Sequence, residues 1–347
     1  AEFFAREDLP DFDYIGLHGV WSWISDENRA LIVDFIRRKL RVGGVVYISY
    51  NTLPGWAAAM PLRQLMAQHA ATLSAPGLAT ETKVEAALAH VEALLATDPA
   101  YATANPQIAQ RFAQMKDLDR RYLAHEYFNR DWKPMYFSEV ADMLSSAKLS
   151  FACSATYGDL LDDIWMTPEQ KALLDAAPTD LLTQGLRDFI VNQQFRKDVW
   201  IKGGETPSAS QRLHLLAEQR VALVAAAEKV EMKVTLGGRE LILQEAIYKP
   251  ILEVLSDNKP HAIGEIQSRV KAAGVEPLQV VQAVIVLIAS SFVIPAQSAA
   301  QEKAAQAGVE RMNAALVARA LQGENLQFAA SAVMGGAVTL DRVSQFI

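Results

Sequence analysis

The sequence predicts an α/β fold interrupted by a helical insertion and followed by a mostly α C-terminal domain. Three observations carry that prediction. Residues 12–50 read as strand, helix and strand, and residues 56–130 exchange glycine and strand formers for alanine and leucine. From about residue 205 three helical patterns run into a short apolar strand. With 347 residues, 51% of them apolar and 21% charged, the chain is globular and long enough for two or three cores.

The first element is "FDYIGL", an apolar run from Phe12 to Leu17 without strict alternation, the pattern of a strand covered on both faces. Ser25 is placed to cap the next helix, with Asp26 and Glu27 in its positive first turn. Arg37, Arg38 and Lys39 occupy its negative last turn. Leu31, Ile32, Phe35, Ile36 and Leu40 form its apolar stripe. Gly43-Gly44 then turns the chain into "VVYISY", which makes the three elements a right-handed crossover and predicts a parallel sheet.

Residues 56–133 read as three or four helices, broken near Pro76-Gly77, Asp98-Pro99 and Asn105-Pro106. The α/β pattern returns over 134–204. "FSEVADMLSSAKL" reads as a helix capped at Ser138, "SFACSATY" at 150–157 as a strand, and "FRKDVWIKGG" at 195–204 as another. "TPEQKALLDAAP" and a helix near 180–193 lie between these two strands. Residues 1–55 and 134–204 therefore make one sheet domain, and 56–133 an insertion suited to a lid or a dimer contact. Residues 205–347 form a separate unit. Helices at 245–258, 261–274 and 277–290 with the strand "SFVIPAQ" give a winged-helix-like pattern over 245–296, and 301–347 add a helix with a Gly-rich, apolar end.

Composition narrows the function. A net charge of −7 argues against a polyanion as main partner, and the third helix, "EPLQVVQAVIVLIASS", has no Lys or Arg to meet phosphates. Nucleic acid is therefore not expected. One cysteine, Cys153, permits no internal disulfide or thiolate cluster; it reads as inert core and fits a reducing cytoplasm, and a cysteine-poor periplasmic protein would look the same. No metal is expected, since "HEYFN" is not H-E-x-x-H and the six histidines are scattered. "VVQAVIVLIASSFVIPA" is short, contains Gln282 and reads as a buried helix running into a strand, so no membrane span is expected. The acidic start, "AEFFAREDLP", is no signal peptide, and the absence of an initial Met suggests a piece of something longer.

In an open parallel sheet ligands sit beyond the carboxyl ends of the strands. His18, Gly19, Trp21 and Trp23 follow one such end and Tyr50-Asn51 another, so both clusters are expected to face one crevice. Gly19 allows close approach, the indoles offer flat walls, and His18 and Asn51 offer hydrogen bonds. Bland readings stand beside these: a histidine bonded to a neighbouring loop, and tryptophans packed under the insertion. The stretch 122–132 brings Tyr122, His125, Glu126, Tyr127, Asn129 and Trp132. On a helix Tyr122, His125 or Glu126, and Asn129 share a face that can hold an amine or hydroxyl, with His125 or Tyr127 helping to remove its proton. A purely structural network is the equal alternative. Asn192 and Arg196 read as structural bonding around the last strand, and the Ala/Leu stripe of 81–121 suits a solvated face or a homodimer.

"FDYIGLHGVWSWIS" and "LRVGGVVYISYNTLPGW" together resemble the second half of a class I S-adenosylmethionine-dependent methyltransferase. "YLAHEYFNRDWKPMYFSEVADML", "AKLSFACSATYGDLLDD" and "RDFIVNQQFRKDVWIKGG" resemble bacterial methyltransferases with a methyltransferase regulatory domain, a group that includes protein-lysine methyltransferases acting on rickettsial outer-membrane proteins. The resemblance implies the C-terminal part of a Rossmann-like sheet, S-adenosyl-L-methionine as cofactor near His18 and Gly19, and a protein or small-molecule acceptor near Trp21, Asn51, Glu126, Asn129 and Trp132. It departs from the group in lacking the Gly-rich loop and the acidic ribose ligand of the first half. The chain by itself is therefore expected not to bind the cofactor, and a missing N-terminal methyltransferase segment is its implied partner. Two functions follow: protein-lysine N-methylation, or a non-catalytic regulatory or scaffold protein derived from a methyltransferase.

Overall fold

Caps and strand pairing organise the first sheet as the local sequence dictates. The structure, a computed structural model, describes residues 2–6, 8–72, 77–204, 207–236, 238–323 and 326–339. It divides into two units, Ala1–Ala155 with Asp162–Glu205, and Thr156–Leu161 with Thr206–Ile347.

In the first unit a short helix α1 (Glu2–Ala5) precedes β1 (Phe12–Leu17), α2 (Asp26–Lys39) and β2 (Leu40–Asn51). Ser25 caps α2 by accepting from the Asn28 N–H. Helices α3 (Met60–Thr72), α4 (Thr80–Leu95), α5 (Ala100–Ala104), α6 (Gln107–Lys116) and α7 (Arg120–Phe128) form the insertion. The chain then adds α8 (Phe137–Ser145), β3 (Leu149–Ser154), α9 (Asp162–Trp165), α10 (Pro168–Asp175), α11 (Asp180–Ile190) and β4 (Phe195–Lys202). The strand order is β1-β2-β4-β3.

Four sequence expectations need correction. The sheet is mixed, not parallel throughout: β1 and β2 run parallel, with Leu17 opposite Ile48, while β4 is antiparallel to both β2 and β3. β4 starts beside Asn51, at the carboxyl end of β2, so it can only run back along it. Nor is β1 covered on both faces. It is an edge strand whose Tyr14 is 59% exposed, because the helices cover one side of the sheet. Gly43-Gly44 lies inside β2, where the β1 register shifts, instead of preceding the strand. Tyr136, with Glu139 bonding back to its N–H at 2.8 Å, replaces Ser138 as the start of α8.

The covered side packs Trp21, Ile36, Val46, Ile48, Val140, Leu144 and Trp200 into one core, and the insertion has its own around Trp56, Met66, Leu88, Ile108 and Leu123. The insertion's ends are stitched together. Leu53 N–H donates to the Met135 carbonyl (3.2 Å), Met135 N–H to that of Asn51 (3.1 Å), and Thr52 N–H to that of Gln194 (3.0 Å).

Under the sheet, Arg196 donates to Asp198 (2.9 Å), Asp188 (2.6 Å) and Gln184 (2.8 Å), and Tyr50 donates to Asp198 (2.7 Å). The guanidinium sits 4.4 Å from the Phe137 ring centre. The bland reading of Arg196 therefore holds.

In the second unit α12 (Ala209–Glu218) leads into β5 (Arg220–Leu223) and a hairpin of β6 (Lys233–Leu236) and β7 (Arg239–Ile242). Then come α13 (Glu245–Leu255), β8 (His261–Ala262), α14 (Ile263–Val270), α15 (Pro277–Ala289), β9 (Val293–Ala296) and α16 (Ala299–Leu321). β10 (Phe328–Ser331) and β11 (Gly336–Thr339) form a final hairpin in the Gly-rich end, of which 340–347 lie outside the described residues. β8, β5 and β9 make a three-stranded antiparallel sheet. α15 buries Val280, Val284 and Leu287 and runs on to β9, as its sequence predicts. Among the described residues no single helix is long and apolar enough to cross a membrane.

Removing the Arg196 cation leaves two buried carboxylates uncompensated, so Arg196→Met should lower unfolding free energy by about 3–5 kcal/mol in urea titrations. Burial pushes Asp188 from 3.8 up to about 6 against the pull of Arg196. The stability this group contributes is present below its ordinary range and lost as pH rises through about 6. Asp188→Asn should flatten the urea midpoint between about pH 4 and 6.

Candidate functional site

The carboxyl ends of β1 and β2 lie side by side, and the loop leaving β1 is tied to β2. Gly19, at φ +62, donates its N–H to Ser49 Oγ at 2.8 Å. His18 is exposed, with Nδ1 3.2 Å from Tyr47 Oη and the two rings stacked 6.0 Å apart. Ser22, fully buried, accepts from the Asn51 N–H at 2.8 Å and so fixes the loop against the last residue of β2.

α7 brings the insertion to the same end. Asp119 caps it by accepting from the N–H groups of Arg121 and Tyr122. Two residues short of its end Glu126, only 9% exposed, accepts from Asn51 Nδ2 at 3.3 Å. Burial pushes this carboxyl above the usual range, and the Asn51 bond opposes the shift by favouring the charged form. His125 is exposed, and its ring stacks on Trp23 at 5.8 Å.

His18, Gly19, Asn51, Glu126 and His125 thus gather at one end of the sheet. Four other candidates do not join them. Trp21 is wholly buried in the sheet core and offers no pocket wall; its carbonyl anchors Arg29 Nε at 2.8 Å. Tyr127 turns away from Glu126, packs on Trp56 at 5.7 Å and lines a cavity beside α6. Neighbouring residues of a helix point about 100° apart, which separates it from Glu126. Asn129 lies past the helix end, in extended backbone, where its side chain bonds the Trp23 carbonyl (3.2 Å) and the Asp131 N–H (2.8 Å). It braces the site instead of sharing a helix face with Tyr122, which is 51% exposed. Trp132 is core, edge-on to Trp56 at 4.8 Å with Arg63 4.3 Å from its ring centre.

Sequence reasoning missed Ser22, Ser49 and Arg63. The serines alternate with apolar neighbours and carry no signal of their own. A cation on the apolar side of α3, where Arg63 donates to the Asn129 carbonyl at 2.5 Å, was the one legible hint.

Asn51→Leu should leave the Glu126 carboxylate without its donor and cost about 1–3 kcal/mol at pH 7, read as a lower urea midpoint. Because the Glu126 pKa is raised in the folded chain, its contribution is present at low pH and lost as pH rises through that value. Glu126→Gln should remove this dependence and most of the Asn51→Leu penalty.

A family model described as "Predicted methyltransferase regulatory domain" matches residues 119–202. Uncharacterized protein sll1526 of Synechocystis is 37% identical over 346 residues, covering 100% of this chain and 68% of the relative. Uncharacterized protein RP789 of Rickettsia prowazekii is 28% identical over 193 residues, covering 53% of this chain and 33% of its own length. The structure of PKMT2 from Rickettsia typhi in complex with AdoHcy shares the fold, with a TM-score of 0.60 at 19% identity over 84% of this chain and 59% of that one. The chain thus spans about two thirds of its Synechocystis relative and somewhat less of the rickettsial methyltransferase. With a regulatory-domain match across α7 to β4 and a relative that aligns along the whole of this chain, the chain belongs to the family of methyltransferase-regulatory-domain proteins.

Proposed function

We propose that the first unit is the acceptor-side half of an S-adenosylmethionine-dependent methyltransferase that modifies a protein lysine. A segment preceding it in the complete protein supplies the cofactor half and adds its strands to the open edge of β1. The observation that carries this reading is the Asn51–Glu126 pair at the carboxyl end of parallel β1 and β2, in a fold like that of a protein solved with AdoHcy. Two facts support the added segment. Among the described residues β1 pairs on one side only, and the relatives are longer than this chain.

The residues present fit one part of the cofactor. A Cβ at Gly19 would meet no atom within 4 Å, so a ligand has room against the backbone, and His18 stands exposed beside it. The remainder falls to the proposed segment, since residues 1–347 hold no Gly-rich loop after a first strand. When bound, the cofactor supplies an electrophilic sulfonium methyl.

The chain's own residues prepare the nucleophile. Glu126 attracts the lysine ammonium, and its raised pKa suits it to take the proton and leave a neutral amine as nucleophile. Asn51 holds the carboxyl in place. The stacked Trp23 and His125 rings lie along the aliphatic stem. Positioning of amine against methyl supplies most of the acceleration. We assign the second unit, whose helices and small sheet we read as winged-helix-like, to recognition of the acceptor protein.

The test is a thermal-shift titration of the complete protein with AdoHcy, followed by methyl transfer to a lysine-bearing substrate. A rise in Tm with AdoHcy is expected. Glu126→Gln should keep that rise and lower transfer by about 10²–10⁴-fold. No shift with the complete protein would overturn the proposal in favour of a scaffold that binds a protein partner.

A further inference from the structure

The insertion carries a cavity of about 770 Å³, within the usual range for ligand sites, bounded by α6, the turn at 54–59 and the loop at 192–194. Gly55 lets the two loops meet. Its N–H donates to the Gln193 carbonyl at 2.8 Å, and a Cβ there would lie 2.4 Å from that oxygen.

Arg111 alone among the lining residues carries a charge. It is half-buried and fixed: its guanidinium carbon lies 4.1 Å from the Trp56 ring centre, and the Gln194 amide, assigned with its oxygen toward the guanidinium because that orientation satisfies both groups, accepts from both terminal nitrogens. The same cation lowers the Tyr127 hydroxyl pKa against the upward push of burial. Elsewhere in this unit Arg29, Arg120, Arg187 and Arg196 each meet an aspartate or glutamate, whereas Arg111 forms no ion pair among the described residues. Of its five donors, Gln194 takes two and the Tyr127 hydroxyl another, and the remainder is left for a ligand.

Apart from the Tyr127 phenol, the rest of the lining is amide and apolar: Gln110, Gln114 and Asn192 on the walls, with Ala57–Ala59 beside Ile108. Carboxamides both donate and accept, which matches the alternating N–H and C=O groups of a peptide. One planar, pre-oriented guanidinium without a second cation matches one carboxylate better than a dianionic phosphate.

We propose that this cleft binds an acidic peptide segment, seating one side-chain carboxylate on Arg111. The site rests on the cleft alone and is independent of the methyl-transfer reading. The test titrates the 347-residue chain with four probes by calorimetry: capped Gly-Glu-Gly, capped Gly-Gln-Gly, free glutarate and inorganic phosphate. The glutamate peptide should bind with a Kd on the order of 1 mM or tighter, and the glutamine peptide about tenfold more weakly. Arg111→Gln should abolish the difference, and Arg111→Lys should recover only part of it. Gln114→Ala, an exposed position, should weaken the glutamate peptide about threefold, without change in the circular-dichroism melt. This second variant covers an Arg111→Gln chain that does not fold. Equal binding of the two peptides, tighter binding of glutarate or phosphate than of the glutamate peptide, or an unchanged affinity in Arg111→Gln or Gln114→Ala would overturn the proposal. Binding of none of the four probes would overturn it as well.

Discussion

One buried cation holds the sheet domain together. Arg196 rises from β4, pairs with Asp198 on its own strand, and reaches Asp188 and Gln184 on α11. It lies against Phe137 of α8 and Phe151 of β3, while Asp198 also receives the Tyr50 hydroxyl from β2. Three strands and two helices thus converge on a single guanidinium. Its directional donors specify how α11 sits on the sheet, a registration that apolar packing alone leaves loose. Such a network is a weak source of net stability once desolvation is counted, but it is unforgiving of a lost partner.

The contrast with Glu126 is instructive. Asp188 and Asp198 are charge-compensated within bonding distance, whereas Glu126 is offered a neutral carboxamide from Asn51. A buried acid with only a neutral donor is costly to keep ionised, and an external cation relieves that cost. Arg111 is a fixed cation that forms no ion pair among the described residues, although its charge reaches Glu126 and favours the ionised carboxylate.

Much of the architecture was legible. Caps, charge placement and the strand–helix–strand spacing specified β1, α2 and β2, and alanine-rich composition marked the insertion between its proline breaks. Strand direction was not legible, because which way β4 runs depends on where α11 delivers the chain. The sheet's exposed side was hidden for a related reason: a run such as Phe12–Leu17 looks the same at an edge as in a centre. At the site, the strand-end rule brought His18, Gly19 and Asn51 together, since it follows from topology. It failed for Trp21, Tyr127 and Trp132, since an indole or phenol serves a core as well as a pocket, and only packing decides. Asn129 was misplaced because the residue that ends a helix cannot be told from one that continues it.

The backbone bridges that join residues 51–53 to Met135 bring the insertion's exit and return to within a hydrogen bond of each other. To the sheet, everything between these points is a closed excursion. Lineages could therefore lengthen, shorten or exchange that stretch as a cassette, retuning what the protein meets while no strand below changes its alignment.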